Sequence, residues 1–172
     1  MRVIAYCLMP NHWHLVLWPD QDDAVSAYIH WLTGAHACYF NARHGLTGHV
    51  YQGRFRDVRV RDERHLLTLL SYVEANPIRA GLVERAELWH WSSVGPSRLS
   101  SLHPGPVPRP ENWLELLRAG PGPPYGTPHT GATSDSAMAA TVCAMSSGVW
   151  AGEMKLAWNC DGASAMPRAS IS

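Results

Sequence analysis

At 172 residues, with 14 basic and 14 acidic side chains, the chain has the size of one domain with an extension and no bulk positive charge that would advertise nucleic acid. Its longest unbroken apolar run, Val3 to Met9, falls far short of the ~20 residues that cross a bilayer, and no apolar core with a small-residue cleavage site marks a secretory signal. Four cysteines without a CxxC pair are too few for a disulfide scaffold, so the composition predicts a soluble cytoplasmic protein with reduced thiols.

Arg2–Leu8 and His12–Trp18 are apolar, β-branched runs separated by Met9-Pro10-Asn11, a turn-type insert, and together they predict a β-hairpin. Residues 24–43 place Ala24, Ala27 and Tyr28, Trp31 and Leu32, Ala35, then Cys38 and Tyr39 at helical spacing, with Gly45 where a helix would end. Residues 54–61 alternate Val58 and Val60 with Arg59 and Arg61, which predicts a strand. Asp62 is the expected N-cap of a helix from Glu63 to about Asn76, which Pro77 would end. The order β-β-α-β-α predicts an α+β sandwich, with an antiparallel sheet carrying its helices on one face. The texture changes after residue 118: of the 54 residues from Ala119 to Ser172, 34 are Ala, Gly, Ser, Pro or Thr. Such a composition buries little apolar surface per ordered residue, so we expect a domain at 1–118 and a disordered, low-complexity tail at 119–172.

Three groups of residues could carry chemistry. His12 and His14 stand two apart on the second strand and project from one face, with Cβ atoms roughly 6–7 Å apart, close enough for both imidazoles to reach one divalent ion. Ten histidines in the chain would also produce such a pair by chance. Tyr72 and Asn76 lie one helical turn apart: the phenol is a possible nucleophile, the amide a possible metal or substrate contact. The bland alternative is a packing tyrosine with an asparagine that caps its helix. Finally, Arg43, Arg54, Arg56, Arg59 and Arg61 face only Asp57 between residues 43 and 61, with His49, Tyr51 and Phe55 interleaved. Guanidinium groups pair with phosphate oxygens and aromatic rings stack on unpaired bases, although a solvated strand face would look similar.

The blocks AYCLMPNHWHLVL, HGLTGHVYQGRF and LLSYVEANPIRAGLVERAELWHWSS, in that order, closely resemble the REP-associated tyrosine transposases, which belong to the HUH single-tyrosine transposases. The resemblance covers roughly residues 1–100 and extends weakly through ENWLELL. It implies a ferredoxin-like HUH endonuclease fold that nicks and rejoins single-stranded DNA, in the nucleoid of a bacterial cytoplasm and on hairpin-forming repeats, as a monomer or homodimer. Tyr72 falls on the nucleophile that forms a 5′-phosphotyrosine, while His12 and His14 fall on the metal-binding histidine pair. Asn76 would be a third ligand, with Mg²⁺ or Mn²⁺ assisting. Gln52, Arg54 and Phe55 fall in a block expected near the DNA. Family members usually begin with a further strand and helix, so the resemblance also implies an N-terminally truncated sheet with an open edge and an uncovered apolar face. On that ground a DNA-hairpin-binding remnant that does not cleave is the alternative. A histidine-rich metal protein without a nucleic-acid role is a third reading, and two imidazoles with an amide would suit Mn²⁺ or Zn²⁺ better than Mg²⁺ on ligand softness.

Overall fold

The computed structural model describes residues 1–21 and 24–120, together with the backbone of a strand at 141–146. Strands β1 (Arg2–Leu8) and β2 (His12–Trp18) form the expected antiparallel hairpin, closed where the Met9 amide donates to the His12 carbonyl at 2.8 Å. Helix α1 (Ala24–His44) follows. Gly45 ends it at φ 62°, a left-handed conformation that brings the Leu46 amide to the Asn41 carbonyl at 2.9 Å. Then come strand β3 (Gln52–Arg56), helix α2 (Glu63–Glu74), a short helix α3 (Asn76–Arg79), a 3₁₀ turn (Ala86–Leu88), helix α4 (Trp113–Ala119) and strand β4 (Thr141–Ser146). Asp62 caps α2 as expected: its carboxylate accepts from the His65 amide at 2.8 Å.

The α+β class holds, but the four antiparallel strands run in the order β1-β2-β4-β3, and helices cover both faces of the sheet. On one face Ile4, Cys7 and Val16 pack against Leu66, Leu69, Leu70 and Val73 of α2 and Leu117 of α4. On the other, Tyr6, Trp13, Leu15 and Leu17 pack against Val25 and Ile29 of α1. The expectation of helices on one face is therefore corrected. Its physical error was to read only the element order: β1 and β2 are near-continuous apolar runs, the pattern of strands buried on both sides rather than half-solvated ones.

Two other expectations shift. The apolar stripe assigned to α1 faces largely outward, with Trp31 64% and Tyr39 65% exposed, while Val25 and Ile29 face the sheet and Phe40 is buried beside His36 and His44. Between Ala24 and Ala42 this helix has no charged residue, so its weakly polar side (Ser26, His30, Thr33, Asn41) gave periodicity little by which to choose the buried face. The third strand leaves its ladder at Arg56 instead of running to Arg61, although Val60 is buried and Arg59 and Arg61 are exposed, as the alternation required. Within the stretch expected to be a disordered tail, Thr141–Ser146 forms β4 and pairs with both β2 and β3; residues 121–140 and 147–172 lie outside the described residues. No described helix is long and apolar enough to cross a membrane.

The outer edge of β1 is covered rather than open. The Leu8 amide donates to the Trp91 carbonyl at 2.8 Å, the Ser93 amide to the Tyr6 carbonyl at 2.9 Å and the His103 amide to the Val3 carbonyl at 2.8 Å. That wrapping segment is tied to α2 by one fully buried carboxylate. Glu74 accepts from Ser93 Oγ at 2.7 Å, Arg109 Nη2 at 2.7 Å and Trp113 Nε1 at 2.6 Å, so a buried charge is both paired and hydrogen-bonded.

Candidate active site

Alternation along β2 puts His12 and His14 on the sheet face that α2 covers, with Val16 beyond them in the same core. Their ring centroids stand 4.8 Å apart at 90°. Packing of α2 across β1 and β2 brings Tyr72 over this pair, its ring 5.6 Å from that of His14 and edge-on to it. The structure therefore joins two of the three sequence-derived groups, which lie some sixty residues apart in the chain.

His14 is 4% exposed, and neither ring nitrogen has a hydrogen-bond partner. A buried polar atom without a partner costs about 1–3 kcal/mol, so the site is built for something that supplies one. Burial holds the ring pKa down to about 4, with His12 and then Arg79 adding to the shift electrostatically, so the imidazole is neutral and its lone pair is free to bind a cation. Burial also lowers His12. Its Nδ1 lies 2.7 Å from Asn11 Oδ1, an arrangement that places the proton on Nδ1 and leaves the lone pair on Nε2. These features fit a divalent metal held by two imidazoles. Among the described residues no third His, Cys, Asp or Glu joins them, so further ligands would be an amide, water or substrate oxygen.

Asn76 sits just past the end of α2, where its amide nitrogen donates to the Tyr72 carbonyl at 3.1 Å. It thus caps the carbonyl of the very residue it was paired with in the sequence. Pro77 does not merely stop the helix; it opens α3, the short turn that carries Arg79. The Arg79 guanidinium lies 4.8 Å over the Tyr72 ring. Neither Arg79 nor Glu74 was singled out from the sequence. For Glu74 a signal existed, since it falls one turn after Leu70 on the buried stripe of α2.

The arginine group is exposed but divided among β3, the segment after it and the end of α1. Arg54 and Arg56 are exposed on β3, Arg59 and Arg61 follow it, and Arg43 is exposed in the last turn of α1. Gln52 and His12 pair with the same β4 residue, Ser146, and Arg56 and His14 with Ala144. Cross-strand partners share a face, so Gln52 and Arg56 lie in rows with the histidines, two strand spacings or roughly 10 Å away. Tyr51 and Phe55 belong to the opposite core, where Tyr51 meets His36 Nδ1 at 2.8 Å and the Trp13 ring at 6.4 Å. Tyr51 is therefore separated by the sheet from the histidine pair.

The burial of His14 makes a thermodynamic prediction for metal-free protein. Its folded pKa of about 4 lies below the ordinary 6.5, so between these values the unfolded chain takes up a proton that the fold does not. The stabilisation is complete above about pH 6.5 and is lost as the pH falls towards 4, on the order of 3 kcal/mol in total. His14→Leu should flatten this acid limb in urea titrations at pH 7 and pH 5. The same pH dependence in both proteins would contradict a neutral, buried imidazole.

Comparison with known proteins places the chain. The family described as transposase IS200 like matches residues 1–76, the span that holds the histidine pair, the arginine-rich strand and α2 with Tyr72. A Haemophilus influenzae protein with the provisional name REP-associated tyrosine transposase is 26% identical over 113 residues, covering 60% of this chain and 64% of that relative. The chain thus spans a little under two thirds of the relative's length. No solved structure matches. Over residues 1–76 the chain is similar to the IS200-like transposases, in keeping with the resemblance carried by the sequence blocks.

Proposed function

We propose that this protein nicks and rejoins single-stranded DNA through Tyr72, on a ferredoxin-like HUH scaffold, in the service of DNA transposition. The observation that carries the reading is the pairing of a potential nucleophile with a potential metal site: Tyr72 stands edge-on to a buried neutral His14 whose two nitrogens lack partners.

The Tyr72 hydroxyl attacks the scissile phosphorus, a P–Oη bond forms, and the bond from phosphorus to the 3′ oxygen breaks. The phenol loses one proton and the leaving 3′ oxygen gains one, so a 5′-phosphotyrosine and a free 3′-hydroxyl result. Because the phosphodiester bond energy is kept in the phosphotyrosine, rejoining by the reverse step needs no ATP. His12 and His14 would hold Mg²⁺ or Mn²⁺, with the Asn76 side-chain carbonyl as a further ligand, and the ion would supply Lewis-acid stabilisation of phosphate charge. Asn11 orients His12, while Asn76 and Arg79 fix the Tyr72 end of α2. The exposed Arg43, Gln52, Arg54, Arg56, Arg59 and Arg61 provide phosphate and base contacts along the strand, and the substrate class is a hairpin-forming single strand.

The test is a radiolabelled hairpin oligonucleotide incubated with the full chain and Mn²⁺. The expected result is a covalent protein–DNA adduct that maps to the peptide containing Tyr72, is absent with chelator, and is lost in His12→Ala and His14→Ala. A gel shift without any adduct would favour a binding protein that does not cleave, and neither signal would remove the DNA reading.

A further inference from the structure

We infer that Arg79 is a phosphate-binding residue of this site, holding the non-bridging oxygens of the phosphate that Tyr72 attacks. The inference rests on the reading of Tyr72 and the histidine pair as the strand-cleaving centre, and it adds a contact that neither the motifs nor the family match assigns.

Three observations carry it. The first is position. Arg79 stacks 4.8 Å over the ring of Tyr72, which itself stands 5.6 Å from the His14 ring, so a cation lies beside the proposed nucleophile and close to the histidine pair. The second is availability. Among the described residues Arg79 has no carboxylate partner and is exposed, unlike Arg109, whose guanidinium is committed to Glu74, or Arg85 and Arg118, which share Glu87. A guanidinium stacked on an aromatic face keeps its in-plane N–H groups free, and their fork matches two phosphate oxygens.

The third is rigidity. Arg79 ends a short turn closed on both sides. Pro77 sets its start, and Gly81 at φ 66° ends it, with the Leu82 amide reaching back to the Pro77 carbonyl at 2.9 Å. The Arg79 amide itself donates to the Ala75 carbonyl at 3.1 Å. The residue is thus anchored to the end of the nucleophile's own helix and moves with it. A cation fixed before the phosphate arrives stabilises the charge that develops on the non-bridging oxygens without having to reorganise.

The test separates a phosphate contact from a structural role by removing charge on each partner in turn. In the Tyr72→Phe protein, which keeps the ring under Arg79 but has no hydroxyl, binding is measured to hairpin oligonucleotides carrying one neutral methylphosphonate at successive positions. At one position the methylphosphonate should weaken binding about tenfold with Arg79 present and less than twofold in Tyr72→Phe, Arg79→Ala, because the partner is already gone. In the chain with Tyr72 intact, Arg79→Ala should slow adduct formation on the order of 10²-fold, with Arg79→Lys between. If no phosphate position couples to Arg79, or the losses simply add at every position, the inference is overturned. A coupled position in a protein that never forms an adduct would keep the Arg79 contact and overturn the cleavage reading instead.

Discussion

Tyr72→Phe should bind hairpin DNA as the unaltered protein does and form no covalent adduct, a loss on the order of 10³-fold or more in strand cleavage. Only the hydroxyl oxygen is removed. The ring keeps its edge-on contact with His14 and its place under the Arg79 guanidinium, so the melting temperature should move by no more than about 2 °C. Quantitative adduct gels beside a binding titration provide the measurement. An active Tyr72→Phe protein would refute the assignment, and so would DNA attached at Tyr51. The fold argues against the latter, since Tyr51 is engaged with His36 and Trp13 in the core under α1, on the far side of the sheet from His12 and His14.

The second large effect is on stability. Glu74→Ala should cost about 3 kcal/mol in urea unfolding, because it takes their shared acceptor from the partly buried Arg109 guanidinium, the Ser93 hydroxyl and the buried Trp113 indole N–H. Apolar replacement of both charges, Glu74→Leu with Arg109→Met, should recover most of that loss, since it removes the stranded cation along with its partner. A Glu74→Ala cost below about 1 kcal/mol would show that this carboxylate does not hold the wrapping segment to α2. The expected consequence reaches the candidate site. Glu74 lies two residues beyond Tyr72, so loosening its anchor loosens the helix that carries Tyr72.

Local chemistry made several features readable from residue order alone. The hairpin needs only two β-branched runs around Met9-Pro10-Asn11, and its observed bounds are those of the runs. Asp62 caps α2 because a carboxylate next to a helix start finds an amide three residues on. Gly45 closes α1 because it alone enters the left-handed region at no steric cost. The histidine pair, Tyr72 and Asn76 could likewise be picked out as candidates, because spacing puts the histidines on one face of one strand and Asn76 one turn beyond Tyr72.

What that spacing could not decide is which elements meet. Helix α1 carries no charge between Ala24 and Ala42, so docking on Tyr6, Trp13, Leu15 and Leu17 selected the face of Val25 and Ile29 over that of Trp31 and Tyr39. The same local ambiguity hid the second covered face of the sheet. It also hid β4, whose place between β2 and β3 depends on main-chain pairing more than on composition. Glu74 reads as an ordinary helix carboxylate until Ser93, Arg109 and Trp113, 19 to 39 residues away, converge on it. Arg79 reads as one arginine among many until the turn between Pro77 and Gly81 lays it over Tyr72. Propensity, capping and alternation act within a few residues and are written in the chain. The environment that neutralises His14, sets Tyr72 against it and adds a cation is created only when distant segments exclude water from one another.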